Sequence, residues 1–285
     1  MLIQEAKAKK ELSRYIESYW RFSPNAEQHP LLLFPDGTFN VVFATQPFKM
    51  DNGKTYSKGT YLFPLLNQLH HVHSDGILVG IRYKAFALNN IVDVDIEKLD
   101  GICELTEVNQ QNSVLTKIHT EIGQNPDFEW IQPLLELGSY ELISSKLQLN
   151  SALRDKVNYI LDRKGNVRID ELCQEFSVSR QALHKAFKKN LGISAKQLAC
   201  TWRLNYFLTL IEDPDSLTSN ALSAGFFDQA HSINSLKREW KFSPGAFKRL
   251  NDDTIGYVKQ TMKNRFNNFY DPDIQNEFTV SHFGG

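Results

Sequence analysis

Two stretches of this 285-residue chain gather long hydrogen-bond donors at helical spacing. After Ser179, a residue type suited to capping a helix, the run RQALHKAFKK splits by the helical period. Leu183, Ala186 and Phe187 share one side, as a core-facing stripe would, while Arg180, Gln181, His184, Lys185 and Lys188 share the other. The chemistry open to that second side is base reading in a DNA major groove, because Arg grips guanine O6 and N7 with two bonds and Gln does the same for adenine N6 and N7. Gly192 follows where a helix ending in the left-handed conformation needs a residue without a Cβ. From Leu217 to Ser243 the arrangement recurs, with Gln229, Ala230, Ile233, Asn234 and Lys237 in the corresponding positions. A single polar helix face is ordinarily just a solvated one. Two copies of one helix-turn-helix pattern, Arg168–Ser194 and Leu217–Ser243, point instead to sequence-specific reading of double-stranded DNA.

The distribution of charge agrees with this. A formal net charge of −1 and a pI near 6.7 argue against an indiscriminate polyanion binder. Residues 150–250, however, hold 16 Lys and Arg against 10 Asp and Glu, a surplus of +6, and the rest of the chain holds 16 against 23, or −7. A basic module beside an acidic partner is the electrostatic footprint of phosphate contacts confined to one region.

The segment from about Leu149 to Leu250 resembles the DNA-binding domain of AraC/XylS-type transcriptional regulators. AGFFDQA at Ala224–Ala230 is similar to that family's G-F-x-[DS]-Q-S turn and helix start, and LKREWKFSPGAFKR at Leu236–Arg249 is similar to its F-K-R-x-F-G-x-[ST]-P-x-x-[YF]-R-R ending. The first unit matches through Ser179, Leu183, Phe187, Lys188, Gly192 and Ser194, and Trp202–Leu204 resembles the start of the family's long linker helix. The resemblance implies a one-component regulator without enzyme chemistry or cofactor, working in a bacterial cytosol or nucleoid and meeting RNA polymerase where it activates. Three departures fall in the second unit: Ser232 replaces a buried aromatic, Asn220 an aliphatic residue and Lys241 a glycine. A Lys in a positive-φ helix cap costs about 1 kcal/mol or less. The second reading helix is open to two orientations. Ile233 either faces a thymine methyl or joins Leu236 and Trp240 in a core stripe.

The amino-terminal half has a different texture. Residues 2–17 read as an amphipathic helix or helical arm. Strands are expected at Ser18–Ser23, Pro30–Pro35, Thr38–Thr45, Lys54–Phe63, Leu65–His73 and Gly76–Tyr83, punctuated by Asp36-Gly37, Asn52-Gly53 and Asp75-Gly76. Helical patterning returns at Ser113–Ile122 and Pro126–Leu137. The expected fold class is α+β: a β-rich, cupin-like barrel or sandwich with appended helices over residues 1–145, an all-α tandem helix-turn-helix domain over 146–250 with a linker helix from about Ala195 to Ile211, and a tail over 251–285. Tyr19-Trp20, Phe34–Phe43 and Gly80–Leu88 resemble the sensor domain of one branch of the same regulators, which implies a small-molecule effector or a homodimer. Phe34, Phe39, Phe43 and Phe63 either fill the barrel or line a ligand pocket.

Within the run His70-His71-Val72-His73, His71 and His73 raise the question of a metal, since alternate strand residues share a face, but no Glu or third histidine stands at cupin spacing and no metal is expected. Cys103, Cys173 and Cys200 form neither a metal motif nor an even disulfide framework. No apolar run approaches a membrane span and no signal segment opens the chain, so a cytoplasmic protein is expected. After Leu250 one short helix near Thr254–Arg265 is followed by an end read as frayed, with Phe266, Phe269 and Tyr270 as the residues that would pack back. Two other functions fit parts of the sequence: a cupin-type metalloenzyme fused to a DNA-binding module, and an interaction protein whose second reader has decayed.

Overall fold

The computed structural model describes residues 2–24, 30–87, 94–105, 110–144, 150–211, 217–241, 243, 252–267 and 281–283. Within them run β1 (Leu2–Lys7), β2 (Ile16–Ser23), β3 (Leu31–Leu33), β4 (Phe39–Ala44), β5 (Phe48–Met50), β6 (Thr55–Tyr56), β7 (Gly59–Phe63), β8 (His70–Ser74), β9 (Leu78–Tyr83) and β10 (Cys103–Glu104), with a 3-10 turn at Ile96–Lys98. The helices are α1 (Gln110–Gln124), α2 (Phe128–Ser144), α3 (Ser151–Asp162), α4 (Ile169–Glu175), α5 (Arg180–Leu191), α6 (Ala195–Leu210), α7 (Leu217–Ser223), α8 (Gln229–Trp240) and α9 (Asp252–Phe266), and β11 (Ser281–Phe283) follows.

The strands form two antiparallel sheets, β10-β7-β4-β9-β2-β1-β11 and β3-β8-β5-β6, which do not close into a barrel. Period-two alternation assigns the two faces of the larger sheet. Phe39, Val41, Phe43, Ile81 and Tyr83 belong to a core shared with α1 and α2, whereas Trp20, Phe22, Val42, Phe63 and Leu78 belong to a second core shared with the smaller sheet and α9. Burial on both faces explains why β9 reads as an almost unbroken apolar run. α6 is buried around most of its circumference, as a helix between two layers must be. Its Leu198 and Trp202 enter the first core, and its Leu204, Phe207 and Leu208 enter the second.

Several sequence expectations need correction. Residues 2–17 are not a helical arm: β1 is paired on one side with β2 and on the other with β11, and helical bonding is kept only in the turns between β1 and β2, Ser13 N–H to the Lys9 carbonyl at 2.8 Å and Ile16 N–H to the Leu12 carbonyl at 2.9 Å. Ladder bonds on both edges, with Ile3 and Ala6 buried, outweigh the helix propensity of Ala, Lys and Glu. The stretch Lys54–Phe63 is divided between β6 and β7, which lie in different sheets, and β5 was not anticipated. α2 runs on past Leu137 to Ser144, with Pro133 inside it. The short helix expected near Thr254–Arg265 is α9, which buries Tyr257, Val258, Met262 and Arg265 rather than lying loose on the surface; Phe269 and Tyr270 lie outside the described residues.

The turn at 35–37 joins the layers. Asn205 Nδ2 donates to the Pro35 carbonyl at 3.1 Å, and the Asp36 carbonyl accepts from Trp202 Nε1 at 3.1 Å and from an Arg265 guanidinium nitrogen at 2.7 Å. Gly37 is required there twice over, since its φ is +76° and a Cβ would sit 2.3 Å from Trp202 Nε1. Arg265 also grips Glu17 through two bonds of 2.9 and 2.7 Å. Burial opposes the Arg265 charge, but the Glu17 and Asp36 carboxylates outweigh it and hold the guanidinium above its ordinary value.

Candidate nucleic-acid interface

The first unit is built from α4, the turn at 176–179 and α5. Ser179 caps α5, its Oγ accepting from Ala182 N–H at 3.1 Å, and Gly192 ends the helix at φ +73°. Leu183, Phe187 and Leu191 are buried, which turns Gln181, His184 and Lys185 to solvent. The turn depends on Ser177 at φ +50°, a left-handed residue that no glycine signalled in the sequence.

Arg180 and Lys188 are exceptions within this face. Arg180 is exposed, yet its guanidinium makes two 2.6 Å bonds to Asp170 on α4, a pairing that holds the group above its ordinary value. Lys188 is half-buried and its ammonium donates to the Gly192 carbonyl at 3.2 Å, so it serves the helix end in the free protein. Beside Arg180 lies a cleft lined by Arg168, Lys196 and Arg203. These three cations were not singled out from sequence, because Arg168 at the start of α4 meets Lys196 and Arg203 of α6 only through the fold.

In the second unit Asp228 caps α8, accepting from His231 N–H at 2.6 Å, and Lys241 ends it at φ +57°, the left-handed cap that its position requires. The buried stripe is Ser232, Ser235, Leu236 and Trp240; Ile233 is half-buried at its border. Ala230, Asn234 and Lys237 are exposed, and half-buried Gln229 accepts a 3.0 Å bond from Thr218 on α7. The departures have local partners. Ser232 Oγ donates to the Gln229 carbonyl at 2.8 Å, and Asn220 Nδ2 donates to the Leu210 carbonyl at 2.8 Å, tying α7 to the end of α6. Phe227, just before the cap, is 84 % exposed and stands beside the reading face, an apolar group that charge-based reasoning passes over. Residues 242 and 244–250, which carry most of the S-P-G-A-F-K-R ending, lie outside the described residues.

The histidines of β8 meet an acid that spacing did not reveal: Asp51 lies 3.0 Å from His70 Nδ1 and 3.6 Å from His71 Nδ1. Among the described residues no group of three His, Cys, Asp or Glu side chains is arranged to hold a metal. The three cysteines are free and half-buried, and burial pushes the Cys200 thiol up. No described helix is long and apolar enough to cross a membrane.

Comparison with known proteins adds to this geometry. A family described as a helix-turn-helix domain matches residues 172–250. The HTH-type transcriptional activator RhaS from Escherichia coli (strain K12 / DH10B) is 24 % identical over 241 residues, covering 76 % of this chain and 83 % of that protein. RhaS from Shigella sonnei (strain Ss046) matches to the same extent. Among solved structures, ToxT from Vibrio cholerae aligns over 80 % of this chain and 96 % of its own, with 15 % identity and a TM-score of 0.43.

Proposed function

Taking as premise that the chain is an AraC/XylS-family DNA-binding transcriptional regulator, we propose that its two helix-turn-helix units read successive major grooves while its β-rich half senses a small molecule or pairs with a second copy. One observation carries this reading. Two capped helices joined through the buried α6 each turn a donor-bearing face outward, Gln181, His184 and Lys185 in one and Asn234 and Lys237 in the other. Base reading falls to Arg180, Gln181 and His184 in the first unit and to Gln229, Ala230, Ile233 and Asn234 in the second. Ser179, Lys185, Lys188 and Lys237 meet phosphates. Arg180 must exchange Asp170 for DNA when it docks, which makes Gln181 the cleaner probe of base reading.

The division of labour is 146–250 for reading and 1–145 for sensing or pairing, with 251–285 as a C-terminal segment whose α9 and β11 pack on the sensing half. Exposed Trp130, Leu137 and Tyr140 on α2 recur at spacings of seven and three, the interval of a helix that pairs with another, and a second copy of this chain is the partner proposed for them. The RhaS relatives are transcriptional activators, so RNA polymerase is the further partner proposed, with the cytoplasmic nucleoid as the place of action.

Footprinting and mobility shift on the DNA upstream of the chain's own gene test the reading. Two protected major grooves per bound chain, roughly 34 Å apart on one DNA face, are expected. Gln181→Ala should cost about 1–3 kcal/mol of specific binding and relax preference at one or two bases. A single protected groove per chain, or sequence preference unchanged by Gln181→Ala, would overturn it.

A further inference from the structure

The face of the larger sheet turned away from α1 and α2 does not close completely. A cavity of about 60 Å3 remains between Trp20, Leu32, Phe34 and Phe63 on the sheets and Val258 and Met262 on α9. One end of it is polar. Asp36 Oδ1 accepts from the Thr38 amide and hydroxyl at 3.0 and 2.7 Å, and Asn40 Oδ1 accepts from Trp20 Nε1 at 2.9 Å. Arg82 bonds Glu5 at 2.5 Å and the Tyr257 hydroxyl at 2.8 Å. The second Asp36 oxygen lies 3.5 Å from both Arg82 and Arg265, farther than a well-made charged hydrogen bond. The charged side chains that line the cavity are Asp36 and Arg82, and the Arg82 charge is already met by Glu5 behind it. An anion entering would meet the Asp36 carboxylate beside an Arg82 already paired with Glu5, whereas a donor would meet a carboxylate oxygen with accepting capacity left.

We propose that this cavity is the effector site, that it takes a compact apolar molecule bearing one neutral or cationic hydrogen-bond donor, an amine or a hydroxyl, and that filling it displaces α9. The inference rests on the sensing role proposed above and gives that role a place, a ligand class and a moving part. Its size supplies the motion: 60 Å3 is far below the roughly 300–1,000 Å3 of a filled ligand pocket, so a ligand of more than a few atoms must push the roof outward. The roof is tied to the reader. Phe266 on α9 packs edge-on against Tyr206 of α6 with ring centroids 5.5 Å apart, and the Lys259 ammonium donates to the Ile211 carbonyl at the end of α6. Because α6 joins the two reading units, a displaced α9 changes the free energy of the arrangement that meets DNA, which is the requirement for a ligand to regulate it.

The test uses the full chain and three nearly isosteric probes, 2-phenylethylamine, 2-phenylethanol and phenylacetate, by titration calorimetry. Saturable binding of the amine or the alcohol is expected, with phenylacetate at least about tenfold weaker. Met262→Phe and Leu32→Phe fill the cavity from opposite walls with apolar groups. Each should weaken the better probe at least about tenfold while the circular dichroism spectrum stays unchanged. Phenylacetate binding as well as the other two, binding unaffected in both variants, or no saturable binding at millimolar concentration would overturn the proposal. Operator affinity measured in parallel separates it from the sensing role. A probe that binds at the cavity without altering operator affinity would reject the sensing role, and an operator response that survives Met262→Phe would reject the site.

Discussion

Arg265→Met removes a guanidinium whose side chain is 1 % exposed and whose partner Glu17 is 5 % exposed. The substitution strands the Glu17 carboxylate in the layer between sheet and helix and deprives the Asp36 carbonyl of a 2.7 Å bond. Breaking a buried pair from one side costs about 3–5 kcal/mol, a factor of roughly 150–5,000 in the folded-to-unfolded ratio, against a total stability of about 5–15 kcal/mol for a typical domain. The double variant Glu17→Gln/Arg265→Met leaves no buried charge and should recover most of that loss, since a neutral pair avoids the desolvation that makes the single change severe. Urea unfolding followed by tryptophan fluorescence and circular dichroism reads the difference, because Trp202, whose Nε1 bonds the same Asp36 carbonyl as Arg265, stands beside the site and reports its opening separately from loss of helix. Divergence of the two probes would place the loss at the α9 contact rather than in the whole fold. A single variant within about 0.5 kcal/mol of the parent, or a double variant no better than the single, would refute the reasoning and leave the apolar contacts of Tyr257, Val258 and Met262 to hold the helix.

Asp170→Ala frees Arg180 and removes a carboxylate beside the reading face, so duplex affinity by fluorescence anisotropy should rise several-fold and more at low salt; an unchanged affinity would mean Arg180 does not meet DNA. Leu137→Glu with Tyr140→Glu should convert a dimer to monomer in sedimentation while leaving the fold intact, and a parent chain that sediments as a monomer would remove the pairing role from α2. Burial lowers His119 below its ordinary 6.5, a bond to the Ala44 carbonyl opposing the shift and Lys58 adding to it. The unfolded chain therefore takes up that proton first, so the contribution is whole above pH 6.5 and erodes as pH falls toward the folded value. His119→Gln should flatten the fall of the urea midpoint between about pH 7 and pH 5, and an unaltered slope would show that other groups set it.

The reading units were legible because their signals are local. A Ser cap at 179, a Gly at φ +73° at 192 and a 3.6-residue apolar period act within one helix and need no knowledge of the rest of the chain. The left-handed cap at Lys241 was expected only through the family resemblance, which places a glycine there, since a Lys gives no such signal by itself. The core strands β2, β4 and β9 were found through apolar runs bounded by turn residues. What sequence could not supply is pairing at a distance. β1 reads as helix until β2 and β11 lie on either side of it, and α9 reads as a helix without a docking place because its buried face includes Arg265, a residue type that belongs inside only when an acid 248 positions away receives it. The charged pairing of Arg180 with Asp170 was hidden likewise, since ten residues separate two groups that the turn between α4 and α5 folds together.

The meeting of α6, α9 and the turn at 35–37 also constrains how the chain is made. The strands up to Tyr83 leave the ribosome roughly 170 residues before α9, which at about 5–20 residues per second is on the order of 10–30 s. For that interval Ile3, Trp20 and Phe34 lack their cover and β1 lacks its outer neighbour β11. A nascent chain with an uncovered apolar face and an open strand edge is a substrate for chaperones and a hazard for premature association. Truncation anywhere before residue 266 would make that transient state permanent, so the β-rich half should prove least soluble when expressed without the segment that the sequence places farthest from it.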